Sequence, residues 1–146
     1  MIITTTLLDV LFSPRVALKT LAVGLGCFGL ELLLFPLLFR DAFLNLQGLE
    51  MGLATDFLQY WLGIRELFLS VLLWNSASNG SDQVCRRLST LAFATLNIPQ
   101  LYYIVRYGDN LFRNSQVKRF MLGFQGFFFL LNGGATIKAW TQKIIW

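Results

Sequence analysis

The sequence predicts an all-α integral membrane protein, a four-helix bundle with both termini on the same side of the membrane. Three observations predict it. Hydrophobic residues make up 55% of the 146 residues, with a mean hydropathy of +0.59. Charged residues make up only 14%, against about 25% in a typical soluble domain. Four apolar stretches also approach or exceed the length needed to cross about 30 Å of hydrocarbon at about 1.5 Å per residue. We expect a single domain without repeats or a soluble module.

The first predicted span covers residues 14–39 and opens with Pro14, a residue favoured in the first turn of a helix. Pro36 lies near its end, where proline kinks or terminates a helix. The mixed polar and apolar residues 40–55 then predict a partly helical connection at the membrane interface.

The second predicted span covers residues 57–74, followed by the small and polar sequence NSASNGSD (75–82), which predicts a loop. The third span covers residues 87–105. A basic connection (106–119) leads to the fourth span, residues 120–139. An even number of spans places both termini on one side, but lysine and arginine are balanced between the sides, so the orientation is not predicted.

The net charge of +4 and the pI near 9.4 do not indicate nucleic-acid binding, because the basic residues flank apolar stretches rich in aromatic side chains. We expect the basic connection to contact lipid headgroups or an acidic partner surface. Its candidate contact residues are Arg106, Arg113, Lys118 and Arg119.

The sequence GLGCFG (24–29) matches the dinucleotide-binding pattern G-x-G-x-x-G, but it lies inside an apolar span rather than after a strand. Small residues at such spacing allow close helix packing in membranes. We therefore predict close packing here, and at the glycine pairs Gly48/Gly52, Gly123/Gly126 and Gly133/Gly134.

Charged residues interrupt the second span, in which WLGIRELFLSVLLW (61–74) contains Arg65 and Glu66. Such residues normally face the interior of a membrane bundle. Glu31 lies eight residues before the end of the first span, and Arg65 lies eight residues after the start of the second. Both are thus about 12 Å deep from one face, and we predict a Glu31–Arg65 ion pair.

The other two spans contribute amides at similar depth. The predicted intramembrane polar layer comprises Glu31, Arg65, Glu66, Asn97, Gln100 and Gln125, and Asn132 shares a helical face with Gln125. The favoured interpretation is that these side chains hold the helices together through hydrogen bonds. The alternative is a small polar pocket in which Glu31 or Glu66 acts as an acid or base.

The chain contains no histidine, which removes the commonest metal ligand and general base. We predict no metal site, no cofactor and no catalytic residue, and we expect bound lipid. A pigment or quinone contact at the phenylalanine-rich sequence FQGFFFL (124–130) remains open.

Three segments resemble the DoxX-like group of small four-helix membrane proteins, particularly its uncharacterised branches. They are LAVGLGCFGLELLLFP, LGIRELFLSVLL and TLAFATLNIPQLYYIVRYGD. Gly63, Arg65 and Glu66 match the Gly-x-Arg-acid signature of those branches. The third helix there often carries an acid where this chain has Asn97, Pro99 and Gln100, and the fourth often carries a histidine. The resemblance implies a retained scaffold in which a family reaction or ligand has been lost.

These observations favour a non-catalytic subunit that packs against lipids and neighbouring subunits of a larger membrane complex. An energy-converting complex (respiratory, ATP synthase or photosynthetic) is the expected setting, in an organellar inner or thylakoid membrane or a bacterial inner membrane. The alternative is a small DoxX-like membrane enzyme, or binder of an apolar metabolite, that uses the polar layer. A transporter or channel is the least supported, because one polar layer does not make a continuous path.

Overall fold

The structure, a computed structural model, describes residues 12–45 and 52–141, and these residues are almost entirely helical. The all-α prediction is therefore confirmed for this part of the chain. The helices are α1 (Pro14–Leu34), α2 (Pro36–Phe43), α3 (Leu53–Asn79), α4 (Asp82–Ala92), α5 (Ile98–Leu111) and α6 (Ser115–Thr141). A π-helical turn, Phe93–Asn97, joins α4 to α5 without a break.

The first predicted span is divided by Pro36, as its position indicated. Helix α1 ends at Leu34, and Phe35 has φ −132° and ψ 53° before α2 begins. Proline disfavours the α conformation in the residue before it and has no N–H to donate. A hydrogen bond connects this break in the helix to α3: Gln59 Nε2 donates to the carbonyl oxygen of Pro36 at 2.8 Å.

The predicted loop at 75–82 is wrong over most of its length, because α3 continues to Asn79 and only Gly80 and Ser81 separate it from α4. Gly80 donates its N–H to the carbonyl oxygen of Ser76 at 2.8 Å, and a Cβ at Gly80 would collide with that oxygen. The Ser81 hydroxyl accepts a hydrogen bond from Val84 N–H and caps α4. Small polar residues thus end one helix and start the next within two positions.

The basic connection predicted at 106–119 is also mostly helical: α5 runs to Leu111 and α6 begins at Ser115. Asn114 Oδ1 accepts from Val117 N–H, which satisfies an unpaired donor in the first turn of α6. Backbone hydrogen bonds join this connection to the residues at the end of α2. Arg113 N–H donates to Phe43 O at 3.0 Å, and Asn45 N–H donates to Leu111 O at 2.9 Å.

Helices α1 and α3 are antiparallel and make the most extensive contact in the fold. Their contacts follow one register, from Arg15 beside Ala77, through Ala22 beside Ser70, to Gly29 beside Gly63. A Cβ at Gly29 would lie 2.9 Å from the carbonyl oxygen of Gly63. The close packing predicted for the glycines of 24–29 is therefore confirmed.

The other predicted glycine pairs have different outcomes. A Cβ added at Gly133 would meet the ring of Phe93, and one added at Gly134 would collide with the ring of Phe12. These glycines therefore do lie in a close contact. The prediction of close packing is wrong for Gly123 and Gly126. A Cβ added at either position would contact no atom within 4 Å other than the backbone of its own helix. Gly52 is equally open, and Gly48 lies outside the described residues.

The apolar core connects α1, α3, α4 and α6. Its buried members are Leu18, Leu21, Ala22, Leu25, Leu73, Ala77, Cys85, Ala92 and Phe128. Helices α1 and α6 are long and apolar enough to cross a membrane, with mean hydropathies of 1.7 and 1.3 over their best 18-residue windows. In the part of the chain that the structure describes, these are the two helices that meet that standard.

Candidate functional site: a buried polar cluster

Among the residues that the structure describes, the most deeply buried charged side chain is Glu66, which is 2% exposed. It follows Gly63 by three residues and precedes Ser70 by four, so all three share the face of α3 that packs on α1. Its Oε1 accepts a hydrogen bond from Arg65 NH2. Its Oε2 is buried and has no hydrogen-bond partner in the structure.

Arg65 lies at the edge of the helix pair, with 51% of its side chain exposed. Its acidic partner is Glu66, its neighbour in sequence, and not Glu31. The predicted Glu31–Arg65 ion pair is therefore wrong. A guanidinium on a long stem reaches from the rim to a carboxylate beneath it, and this lets the charged head remain half-exposed while its partner is buried.

Glu31 is half-buried and lies on α1 between Gly29 and Leu33, both of which contact Gly63. The depth count thus placed Glu31 correctly at the level of the turn that contains Arg65. Glu31 nevertheless forms no ion pair with any described residue. Equal depth did not imply contact, because the two side chains leave their helices in different directions.

Asn97 is 1% exposed, and neither its Oδ1 nor its Nδ2 has a hydrogen-bond partner in the structure. It ends the π-helical turn that precedes Pro99. Proline lacks the N–H that the carbonyl of Thr95 would accept, and its ring crowds that carbonyl. The wider turn accommodates this crowding and places the amide inside the fold. Such π-helical turns occur frequently at functional sites.

Gln100 and Gln125 are half-buried residues on facing helices. Phe93 lies beside Gly133, and Gly108 lies beside Lys118, so this part of the fold is antiparallel. That register brings Gln100 and Gln125 to one level. Among the described residues, no hydrogen bond joins the side chains of Gln100 and Gln125.

A second group of buried polar side chains lies on α4 and α6, nearer the turn between α3 and α4. Asn132 is fully buried, and its Nδ2 donates to the carbonyl oxygen of Phe128 at 3.1 Å while its Oδ1 is unpartnered. The hydroxyl oxygens of Ser89 and Thr136 are also buried without partners. Ser89 and Thr136 were not predicted. The spacing of Cys85, Ser89 and Ala92, which forms a buried small-residue face of α4, was the available signal.

The four basic candidates differ in their surroundings. Lys118 forms an ion pair with Asp109 at 2.8 Å, and Arg113 NH1 donates to the carbonyl oxygen of Asp41 at 3.0 Å. Both therefore tie chain segments together. Arg106 lies over the ring of Tyr107, 5.7 Å from its centroid, and the side chain of Arg119 is exposed.

Two surface cavities lie near the turn between α3 and α4, and neither is lined by Glu66 or Asn97. One, of about 440 Å³, is lined by Val23 of α1 and by Ser70, Val71, Trp74, Asn75, Ser78 and Asn79 of α3. The other, of about 180 Å³, is lined by Ser13, Pro14, Arg15, Asp82, Cys85, Arg86 and Lys138. No group of three histidine, cysteine or acidic residues suited to a metal ion occurs among residues 12–45 and 52–141.

The buried polar side chains lie in separate parts of the fold. At each place they can hold helices together or bind a small polar group, since together they offer one carboxylate oxygen, two amides and two hydroxyl groups without complete partners. Comparison of the chain with protein-family models, with curated proteins and with solved structures gives no match. The roles of these residues therefore rest on their own chemistry and geometry.

Proposed function

We propose that this chain is a non-catalytic integral membrane subunit that packs against lipids and neighbouring subunits of a larger complex. One observation carries the proposal: several polar side chains lie inside the fold, while many large apolar side chains lie on its outer surface. Glu66, Asn97, Asn132 and Ser89 are at most 2% exposed, whereas Phe68 is 67% and Leu130 69% exposed. Water would favour the reverse distribution, and hydrocarbon favours this one.

The outer face of α3 illustrates the distribution. Its exposed large apolar and aromatic side chains are Leu53, Phe57, Leu58, Tyr60, Trp61, Ile64, Phe68, Val71, Leu72 and Trp74. They continue for most of the 27 residues of the helix. Soluble monomers rarely expose contiguous apolar patches larger than a few hundred Å². A surface of this extent suits acyl chains or the helices of a neighbouring subunit.

The low burial of the two most apolar helices supports the same conclusion. The central helix of a soluble protein is mostly buried by its own fold. Only 39% of the apolar window of α1 and 28% of that of α6 are buried. The remaining apolar surface requires a covering, which a bilayer supplies.

In the proposed arrangement, α1, α3, the continuous α4–α5 unit and α6 each cross the bilayer, and both termini lie on one side. Helix α3 is 27 residues long, about 40 Å at 1.5 Å per residue, which exceeds the hydrocarbon thickness. Its charged residues are compatible with crossing because Glu66 faces α1 and Arg65 pairs with it. The relationship to DoxX-like proteins remains a prediction.

Fractionation of native membranes, followed by purification in mild detergent, tests the proposal in two steps. The chain is expected to stay in the membrane pellet after alkaline carbonate extraction, because its outer surface is apolar. It is then expected to migrate with a stoichiometric large assembly on a native gel. Release by carbonate would contradict membrane insertion. A monomer or homodimer in several mild detergents would contradict the subunit role alone.

A second candidate function, a membrane enzyme or binder of an apolar metabolite, is favoured by the unpartnered amide of Asn97 and the free Oε2 of Glu66. A buried polar group without a partner costs about 1–3 kcal/mol, and proteins retain such costs mainly at functional sites. The two candidate functions predict different results when Asn97 is replaced, as a stability measurement and a search for bound metabolite would show.

Asn97→Leu is expected to raise the free energy of unfolding by about 1–3 kcal/mol, because it replaces an unsatisfied buried amide by an apolar side chain with the same branching. Thermal unfolding in detergent measures this. Under the second function, mass spectrometry would also find a co-purified metabolite that is lost from Asn97→Leu and kept by Asn110→Leu, a control at an exposed position. A less stable Asn97→Leu protein would instead show that the amide holds the helices together.

A further inference from the structure

A cationic cavity lies where α1 begins, α4 begins and α6 approaches its end. Its volume is about 180 Å³, and each of these three helices contributes a basic residue: Arg15, Arg86 and Lys138. Asp82 is the acidic residue in the lining, so the cavity has more basic than acidic groups. The proposed membrane function assigns no role to it.

Arg15 is held in place by the turn between α3 and α4. Its NH1 donates to Ala77 O at 2.9 Å, its NH2 donates to Gly80 O at 2.8 Å, and its Nε donates to Asp82 Oδ1 at 3.0 Å. The guanidinium is therefore a fixed positive group in the wall. It also pairs with the carboxylate of Asp82, at 2.9 Å from NH2 to Oδ1.

Arg86 has no such partner. It is half-buried and follows Asp82 by one helical turn, but it forms no ion pair with any described residue. A partly desolvated guanidinium gains most from a charge-assisted hydrogen bond to an anion, and its planar fork matches a carboxylate or phosphate. Because it lines a cavity with space for a ligand, the missing anion can come from outside the chain.

The rim of the cavity adds further donors. Ser13 precedes α1, but its side chain makes no capping bond to the helix, so its hydroxyl remains available to a ligand. The first turn of α1 contains no acidic residue, and its unpaired N–H groups carry a partial positive charge. Tetrahedral phosphate oxygens accept hydrogen bonds from several directions at once, which suits donors arriving from two helices.

We propose that this cavity binds a phosphate group, with Arg86 as its main ligand and Arg15 as a fixed second charge. The phosphate belongs either to the headgroup of an anionic phospholipid or to a free phosphate species. The lipid source rests on the proposed membrane function, whereas binding of free phosphate does not.

The test uses the purified full-length chain in neutral detergent. One arm titrates inorganic phosphate against sodium chloride at equal ionic strength and follows thermal unfolding. The other reconstitutes the chain in nanodiscs of phosphatidylcholine with or without phosphatidylglycerol, and counts retained phosphatidylglycerol by native mass spectrometry. Arg86→Gln is the test variant. Arg87→Gln, which removes an exposed charge from the same helix but outside the cavity lining, is the matched control.

Arg86→Gln is expected to weaken binding about tenfold in at least one arm, as the loss of a charge-assisted hydrogen bond implies, while Arg87→Gln stays within about twofold. Loss in the lipid arm alone identifies a headgroup site, and loss in the phosphate arm alone identifies a free phosphate site. Equal binding by the wild type and Arg86→Gln, or equal losses in both variants, overturns the proposal. If Arg86→Gln does not fold, Arg86→Lys, which keeps the charge but lacks the planar fork, is read against the same control.

A failure of this proposal is distinguishable from a failure of the proposed function. Carbonate extraction and co-migration with an assembly do not depend on Arg86. Phosphate binding in detergent does not depend on partners.

Discussion

Gly29→Ala is expected to destabilise the fold by about 1–3 kcal/mol, the usual cost of overpacking, although alanine is normally the better helix former. The added methyl would lie 2.9 Å from the carbonyl oxygen of Gly63 and 3.0 Å from the backbone nitrogen of Leu67. Both neighbours are backbone atoms, so relief requires α1 and α3 to separate. Unfolding in mixed detergent micelles, monitored by circular dichroism, measures the change.

Gly126→Ala is the matched control. It makes the same substitution in a long apolar helix, α6, where an added Cβ meets nothing within 4 Å. Its stability is expected to be unchanged or to rise by up to about 1 kcal/mol, the usual preference of a helix for alanine over glycine. Equal changes in stability for the two substitutions would show that α1 and α3 are not tightly packed at Gly29.

Arg65→Gln is expected to lower the free energy of unfolding by about 2–3 kcal/mol. Removing one partner of a fully buried ion pair costs about 3–5 kcal/mol because the other charge is left uncompensated. The expected cost is smaller here since 51% of the Arg65 side chain is exposed. The remaining cost arises from Glu66, which is 2% exposed and has Arg65 as its side-chain partner in the described structure.

A double-mutant cycle separates this effect from a general loss of helix packing. Glu66→Gln removes the buried charge, so adding it to Arg65→Gln is expected to restore most of the lost stability. Denaturation midpoints of the wild type, both single variants and the double variant complete the measurement. Additive losses in the double variant would mean that the two side chains act independently, contrary to the observed ion pair. Arg119→Gln controls for the loss of a positive charge elsewhere.

Hydrophobic pattern and proline position predicted the helical content correctly, because both act over a few neighbouring residues. The apolar stretch ending near Pro36 forms a helix that stops at Leu34, and the glycines of 24–29 lie in a close helix contact. Local backbone chemistry was sufficient for these features. A proline interrupts a hydrogen bond, and a glycine removes a side chain, whatever the rest of the chain does.

Helix ends were predicted less well where polar residues continue a helix beyond its apolar section. Residues 75–79 and 106–111 were assigned to connections because of their polarity, yet they extend α3 and α5. Hydropathy reports the solvent that a residue prefers, whereas helix termination depends on backbone partners. At Gly80, where α3 ends, the partner is the carbonyl oxygen of Ser76, and at Asn114, just before α6 begins, it is a side-chain cap.

The roles of Arg65 and Glu66 show the limit of depth counting. Helical rise placed Glu31 and Arg65 at one level, and the contacts around Gly63 agree. The direction of each side chain depends on how α3 is rotated against α1. That rotation is set by Gly63, Ser70 and Leu73 packing on α1, which turns Glu66 inward and Arg65 to the rim.

The sequence by itself determined that the chain is helical, that α1 breaks at Pro36 and that the glycines of the first span allow close packing, because composition and local backbone preference decide these properties. Only the tertiary structure decided which polar side chains are buried and paired. It also assembled the cavity of Arg15, Arg86 and Lys138 from three helices. Burial and pairing depend on the rotation and register of packed helices, and these follow from contacts between residues far apart in the chain.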